Sequence, residues 1–163
     1  MKPLNKLKNQ MMLDLDIQRI ISDPELPDDK QIELWTKAAL AAGEREDNTQ
    51  LAIRIVDINE GKKLNEQWRH KEGPTNVLSF SMDGLDLIAP ELLGDIVICA
   101  PVVAREAEEQ SKPLHSHWAH MVTHGVLHLL GYDHIIETEA KKMESLEIKI
   151  MNQLGFSDPY QPE

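Results

Sequence analysis

The stretch HGVLHLLGYDH, residues 124–134, is the feature that most restricts how this chain can fold. His124 and His128 are four residues apart, so on a helix their imidazoles lie on one face about a turn apart. Gly131 is typical of a helix end, and the turn that it permits can bring His134 to the same point. Imidazoles in this arrangement bind a divalent transition metal such as Zn²⁺ at roughly 2.0–2.1 Å. Three protein ligands leave a fourth position open, which is the pattern of a catalytic site.

A second pair of histidines on the same helix could form this metal site. His120 and His124 also form a pair separated by four residues. We favour His124 with His128 because that pair is closer to the turn that carries His134. We therefore predict that His120 packs beside the site or orients one of its ligands. Asp133 is a second candidate for a group that hydrogen-bonds a ligand imidazole.

Gly125 stands where a zinc peptidase with the HExxH motif carries its general base. A glycine cannot perform that role, although it does allow a helix to approach a neighbouring element closely. A missing general base typically costs a factor of about 10²–10⁴ in rate. Peptide hydrolysis at such a site would therefore be handicapped, although the metal alone still activates its bound water.

Charge and composition narrow the setting in which the chain works. The formal net charge of −11 argues against a broad polyanion-binding surface, although Lys62–Lys71 holds four basic side chains and one acid. The single cysteine, Cys99, lies in an apolar run and is expected to be a buried thiol in a reducing compartment. No apolar run approaches the roughly 20 residues of a bilayer span. We expect a cytoplasmic protein that binds neither a membrane nor DNA. By its length, the chain is expected to form one domain over residues 1–163, with a loose extension at residues 1–11.

Hydrophobic periodicity predicts an α+β fold. Strands are expected in the segments LDLDI, LAIRIVD, TNVLSFSM and LLGDIVICA, the last two joined by a loop around residues 83–90. Helices are expected from an Asp28–Gln31 capping box to Gly43, over a short segment ended by Gly73-Pro74, from Pro101 to about Gln110, over residues 115–131, and from about Glu137 to Gly155.

The histidine stretch resembles the H-G-x-L-H-L-x-G-Y-D-H signature of the YbeY family, bacterial metal-dependent endoribonucleases of rRNA maturation. The segments PTNVLSF, LLGDIVIC, WAHMVTHG and LGFSDPY look like further blocks of that family, in the family's order. Together these segments span most of the chain after about residue 50. The resemblance implies a mixed four-stranded sheet with flanking helices, and a metal-binding helix related to that of the zinc peptidases.

The same resemblance implies a function and its residues. It makes His124, His128 and His134 the ligands of one zinc ion, or of another divalent transition metal. Arg69, in QWRHKEGPTNVLSF, matches the family's functional arginine and would stabilise charge on the scissile phosphate. The implied reaction is cleavage of single-stranded RNA in 3′-end maturation of 16S rRNA and in ribosome quality control. The implied partners are ribosomal RNA, the small ribosomal subunit with its proteins, and an Era-type assembly GTPase.

Two other functions remain open at this point. A metallopeptidase-like hydrolase would need a base other than Gly125, and Asp133 is the nearest acid in the sequence. A non-enzymatic ribosome assembly factor would use its metal only to fix the C-terminal turn. A protease assay with added metal separates the first from a ribonuclease, and metal-dependent folding without turnover would support the second.

Overall fold

The fold is known from a computed structural model that describes residues 11–82, 88–133 and 135–161. Within these ranges the elements are β1 (Leu13–Arg19), α1 (Asp29–Ala42), β2 (Thr49–Val56), α2 (Ile58–Arg69), β3 (Val77–Ser81), β4 (Leu92–Cys99), α3 (Ala100–Glu109), α4 (Leu114–Leu129) and α5 (Glu137–Gln153). Each strand and helix expected from the sequence is present, so the α+β prediction is confirmed.

The four strands form one mixed sheet in the order β1-β2-β4-β3. β1 pairs with β2 and β2 pairs with β4 in parallel, whereas β3 runs antiparallel to β4 along the sheet edge. This confirms the mixed four-stranded sheet. The predicted loop between β3 and β4 falls largely on residues 83–87, outside the described residues. The single domain with a loose start stays a prediction, since residues 1–10 are also outside the described ranges.

Helix ends follow the local sequence with one difference. Asp28 and Gln31 form the predicted capping box, with hydrogen bonds of 2.8 and 2.9 Å between each side chain and the other's backbone N–H. α2 ends earlier than expected, because His70 takes the left-handed conformation with φ of 56°. The Asn65 side chain donates to the Gly73 carbonyl at 2.7 Å and holds the turn that follows. Arg69 is therefore the last residue of the helix.

The central helix α4 packs on one face of the sheet between α1 and α5. It contributes Trp118, Val122, Val126 and Leu127 to the main core, all almost completely buried. The other face carries a smaller apolar cluster beneath α2, which includes Cys99, a buried thiol as expected. Because α4 is buried on nearly every side, the histidines that it carries are held in fixed positions. Among the described residues, no helix is long and apolar enough to cross a membrane.

Gly125 is the point of closest approach between α4 and the sheet. A Cβ built on this residue would lie 2.9 Å from Cγ2 of Ile96, and its three nearest atoms all belong to that side chain. The Gly125 carbonyl also accepts a hydrogen bond from the Ser79 hydroxyl on β3 at 3.0 Å. The close-approach explanation of this glycine is thus confirmed. The position that would carry a peptidase glutamate packs against β4.

Candidate metal centre

Four of the residues singled out in the sequence lie around one cavity of about 630 Å³. His124 and His128 contribute from α4, with ring centroids 4.7 Å apart and ring planes at 75°. Arg69 contributes from the end of α2, and Asp133 from the turn after α4. Residues of β3 form another side of this cavity, which we call the histidine cavity. The fold therefore gathers an arginine, two imidazoles and a carboxylate from three separate segments.

His134 lies outside the described residues, so its role as a metal ligand stays a prediction. Its chain neighbours Asp133 and Ile135 both line the histidine cavity. The Asp133 carboxylate accepts a hydrogen bond from the Ile135 backbone N–H at 3.1 Å. This contact ties Asp133 to the backbone of Ile135, a structural role that the sequence did not indicate for the aspartate.

His120 and His124 meet a buried acid, Glu147 of α5, that the sequence analysis missed. One carboxylate oxygen of Glu147 accepts from Nε2 of His120 and from the Tyr160 hydroxyl, the latter at 2.8 Å. The other oxygen lies 3.2 Å from Nδ1 of His124. The sequence did contain an indication of this acid, because Glu147 lies at helical spacing from Met143 and Ile150 on the apolar side of α5. A lone acid in such a stripe requires buried partners.

These contacts keep Glu147 ionised and its neighbours as donors. Burial acts to raise the pKa of the Glu147 carboxyl, but hydrogen bonds from His120 and His124 outweigh it and lower the pKa to about 2. Burial lowers the pKa of His120, only partly offset by Glu147, so His120 is a neutral donor. Burial and the adjacent carboxylate raise the pKa of Tyr160, which stays a phenol. The arrangement is a carboxylate with three hydrogen-bond donors.

A second polar cluster adjoins the first and fixes the start of β3. The Glu106 carboxylate of α3 contacts Nε2 of His117 at 2.9 Å and accepts from the Asn76 amide at 3.1 Å. Burial opposes ionisation of Glu106, but these two hydrogen bonds lower its pKa below the ordinary 4.5. Asn76 also lines the histidine cavity, so this cluster helps to hold one of the cavity's sides.

The donor set suits a divalent transition metal. With its Nδ1–H directed to Glu147, His124 would keep the Nε2 lone pair for a metal, an arrangement that is usual for ligand histidines. His128 offers a second imidazole in the same cavity. A different group is also possible on the other side of His124, where ligand atoms of His120, His124 and Glu147 all lie within 4.8 Å of one another. Both arrangements use His124.

Fold and site together define an α+β protein whose central helix carries paired histidines in a cavity shared with an arginine. The family model for Endoribonuclease YbeY matches residues 17–155. The chain therefore belongs to the YbeY family, and the resemblance noted in its motifs is confirmed.

Individual relatives agree with this assignment. The Endoribonuclease YbeY of Pseudomonas savastanoi pv. phaseolicola is 53% identical over 150 residues, and the match covers 91% of this chain and 89% of that protein. The Endoribonuclease YbeY of Pseudomonas syringae pv. syringae is 51% identical with the same coverage. The solution structure of TM1509 from Thermotoga maritima is similar with a TM-score of 0.57 at 22% identity, over 92% of this chain and 99% of that one. This last likeness supports the fold alone.

Proposed function

We propose that this protein is a zinc-dependent, single-strand-specific endoribonuclease that matures the 3′ end of 16S rRNA and acts in ribosome quality control. The observation that carries the proposal is the histidine cavity, where Arg69 lies with His124 and His128. The family supports RNA as the substrate, since relatives more than half identical in sequence are named endoribonucleases.

In this proposal His124, His128 and His134 hold one zinc ion or a similar divalent ion. When bound, the ion supplies a Lewis acid for a phosphate oxygen and makes water a stronger nucleophile. Glu147 orients His124 by accepting a hydrogen bond from its Nδ1. Such carboxylate partners fix both the tautomer and the direction of a ligand imidazole. Asp133 contributes by holding the backbone N–H of Ile135, the residue that follows the third ligand in the sequence.

We place the ion on the cavity side of His124. The alternative group needs Glu147, whose carboxylate is completely buried and already accepts hydrogen bonds from three neighbouring side chains. His120 is buried as well, so an ion held there would offer no open position to a phosphodiester. His128, in contrast, lines the open cavity. A catalytic ion needs such an open position.

Arg69 is the proposed stabiliser of charge on the scissile phosphate. Its side chain is exposed at the end of α2 and lines the same cavity as the paired histidines. A guanidinium binds two phosphate oxygens through its planar pair of N–H groups. Its interaction strengthens as negative charge builds in the transition state, so it contributes to the rate and not only to binding.

The acidic character of the chain is compatible with an RNA substrate held in a particle. A net charge of −11 predicts weak, salt-sensitive binding of free RNA. We therefore propose that the small ribosomal subunit, its proteins and an Era-type GTPase present the ribosomal RNA. Because ribosomes are assembled in the cytoplasm, that is where we propose the enzyme works. A peptidase is less well supported, since the position of its general base is packed against Ile96.

The metal assignment is tested by three variants whose metal content is measured after gel filtration. His124→Ala should lose metal in either arrangement. His128→Ala should lose stoichiometric metal and RNA cleavage together, whereas His120→Ala should keep metal with reduced affinity. Retention of metal in His128→Ala, with its loss in a folded His120→Ala, would move the ion to the Glu147 side.

The reaction is tested by single-turnover cleavage of RNA from the 3′ end of 16S rRNA, compared with the same sequence in a duplex. We expect metal-dependent cleavage of the single strand, and unprocessed 16S 3′ ends in cells that carry only His128→Ala. Full metal binding without any cleavage would favour a non-enzymatic assembly factor. Peptide hydrolysis that is lost with a chelator would favour a metallopeptidase.

A further inference from the structure

Trp68 is an exposed aromatic residue beside the proposed catalytic arginine. It lies in the last turn of α2 and is 59% exposed, whereas Trp35 and Trp118 are 3% and 1% exposed. Its indole meets the Phe80 ring of β3 edge to face, with centroids 6.1 Å apart and planes at 73°. The contact with Phe80 restrains the indole while leaving much of its surface open to solvent.

Trp68 and Phe80 stand between two cavities. Both residues line the histidine cavity, and both also line a neighbouring cavity of about 500 Å³ on the α2 side of the sheet. The neighbouring cavity has an apolar floor that includes Ala52, Leu64 and Val97. Its volume falls in the usual range of small-molecule pockets, roughly 300–1,000 Å³. We call it the tryptophan cavity.

The charges around the tryptophan cavity disfavour a phosphate but not a neutral ring. Asp95 lines it, and two further acids, Asp14 and Asp16, line the adjoining part of the same sheet face. The arginine in this cavity, Arg54, is already paired with Glu60 at 2.8 Å. A phosphodiester would meet net negative charge here, whereas the polar rim can hydrogen-bond the edge of a base.

We propose that the tryptophan cavity is a nucleobase subsite, in which Trp68 stacks on a base next to the phosphate held at Arg69. This inference rests on the proposed ribonuclease function and adds the way in which the substrate is held. Unpaired bases stack on exposed aromatic side chains, whereas bases in a duplex are already stacked and cannot reach such a platform. The subsite therefore supplies a physical reason for a preference for single-stranded RNA.

Quenching of fluorescence tests whether Trp68 contacts the RNA. The probe is a 2′-O-methylated single-stranded oligonucleotide about eight nucleotides long, within the usual site size for such binders. The other two tryptophans are buried, so quenching on binding to the metal-loaded protein should come from Trp68 and should disappear in Trp68→Phe. Quenching that persists unchanged in Trp68→Phe would overturn the proposal.

A cycle between protein and RNA changes tests the stacking itself. Removing one base at a time from the oligonucleotide should reveal a position where an abasic site weakens binding to the wild type by about 5- to 150-fold, the usual contribution of a stacked base. Trp68→Ala should weaken binding of the intact oligonucleotide by a similar factor and show no further loss with that abasic site. Trp68→Phe should restore part of the affinity. Leu34→Ala, which removes another exposed apolar side chain, is the matched control and should have no effect.

The possible failures are distinguishable. If wild-type protein cleaves RNA but Trp68→Ala binds every oligonucleotide as the wild type does, the subsite is wrong and the ribonuclease function stands. If Trp68→Ala weakened binding of the intact and the abasic oligonucleotides by the same factor, stacking would likewise be rejected and the loss would indicate an indirect effect on α2. If the wild type neither binds nor cleaves single-stranded RNA, the proposed function fails together with the subsite.

Discussion

Replacing Gly125 by alanine is the sharpest test of how α4 is placed on the sheet. The added methyl carbon would lie 2.9 Å from Cγ2, 3.2 Å from Cδ1 and 3.4 Å from Cγ1 of Ile96. Favourable carbon contacts are about 3.5–4.0 Å, so something must move. Ile96 is completely buried, is stiff because it branches at Cβ, and belongs to a strand paired on both sides. We therefore expect a real steric cost.

The magnitude follows from two opposing effects. An extra methyl group in a packed core costs about 1–3 kcal/mol. Alanine in place of glycine within a helix recovers about 1 kcal/mol. The expected net loss in the free energy of unfolding is therefore about 0–2 kcal/mol, a range too broad to decide the matter alone. The coupling between Gly125→Ala and Ile96→Ala is more informative, because the second change removes all three crowding atoms.

The assay is urea unfolding followed by circular dichroism, applied to both single variants and the double variant. The double variant should lose less free energy of unfolding than the sum of the single losses, by about 1–3 kcal/mol. As a control, Gly125→Ala with Val56→Ala, a buried change on the other sheet face, should be additive within about 0.5 kcal/mol. Additivity with Ile96→Ala would refute the close-packing argument.

The same geometry bears on peptidase chemistry. Gly125→Glu would recreate the HExxH spacing, but its carboxylate would be directed at the sheet, where an unpaired buried charge is very costly. We expect a strongly destabilised protein with no gain of proteolysis. A folded, metal-loaded Gly125→Glu protein that hydrolyses peptides would show that the residue can reach the histidine cavity.

Three further predictions concern acidic and basic groups of the site. Arg69→Ala should leave the metal content unchanged and the free energy of unfolding within about 0.5 kcal/mol of the wild type, but should lower the rate of single-turnover RNA cleavage by roughly 10²–10³-fold. Arg69→Lys should recover part of that rate, and a wild-type rate in Arg69→Ala would exclude the residue from the reaction. Glu147→Gln should weaken metal binding by about 10–100-fold in a chelator competition. Glu139→Gln, on the exposed side of α5, is the control and should not weaken it. Equal metal affinities in the two variants would show that Glu147 does not orient His124. The pKa of Glu106 is lowered in the folded state, so its contribution to stability is present above its unfolded pKa near 4.5 and is lost as pH falls through the lower, folded value. The difference in unfolding free energy between wild type and Glu106→Gln should therefore shrink in acid. A difference that is independent of pH would contradict this.

The sequence by itself determined the elements and the family. Periodicity located the strands and helices because each buries one side, and the capping box at Asp28 and Gln31 marked a helix start through contacts only three residues apart. The histidine spacing indicated a metal site, since residues four apart on a helix share a face. These features depend on neighbours along the chain, and so they can be read without a fold.

The tertiary structure decided what lies around those features. Only the packing of α5 on α4 brings Glu147 to His124, 23 residues away in sequence, and only the sheet shows that a side chain at Gly125 would meet Ile96. The end of α2, set by His70 in its left-handed conformation, places Trp68 and Arg69 at the histidine cavity. Each of these contacts joins separate elements through burial, and a local pattern does not encode which distant surface a side chain will meet.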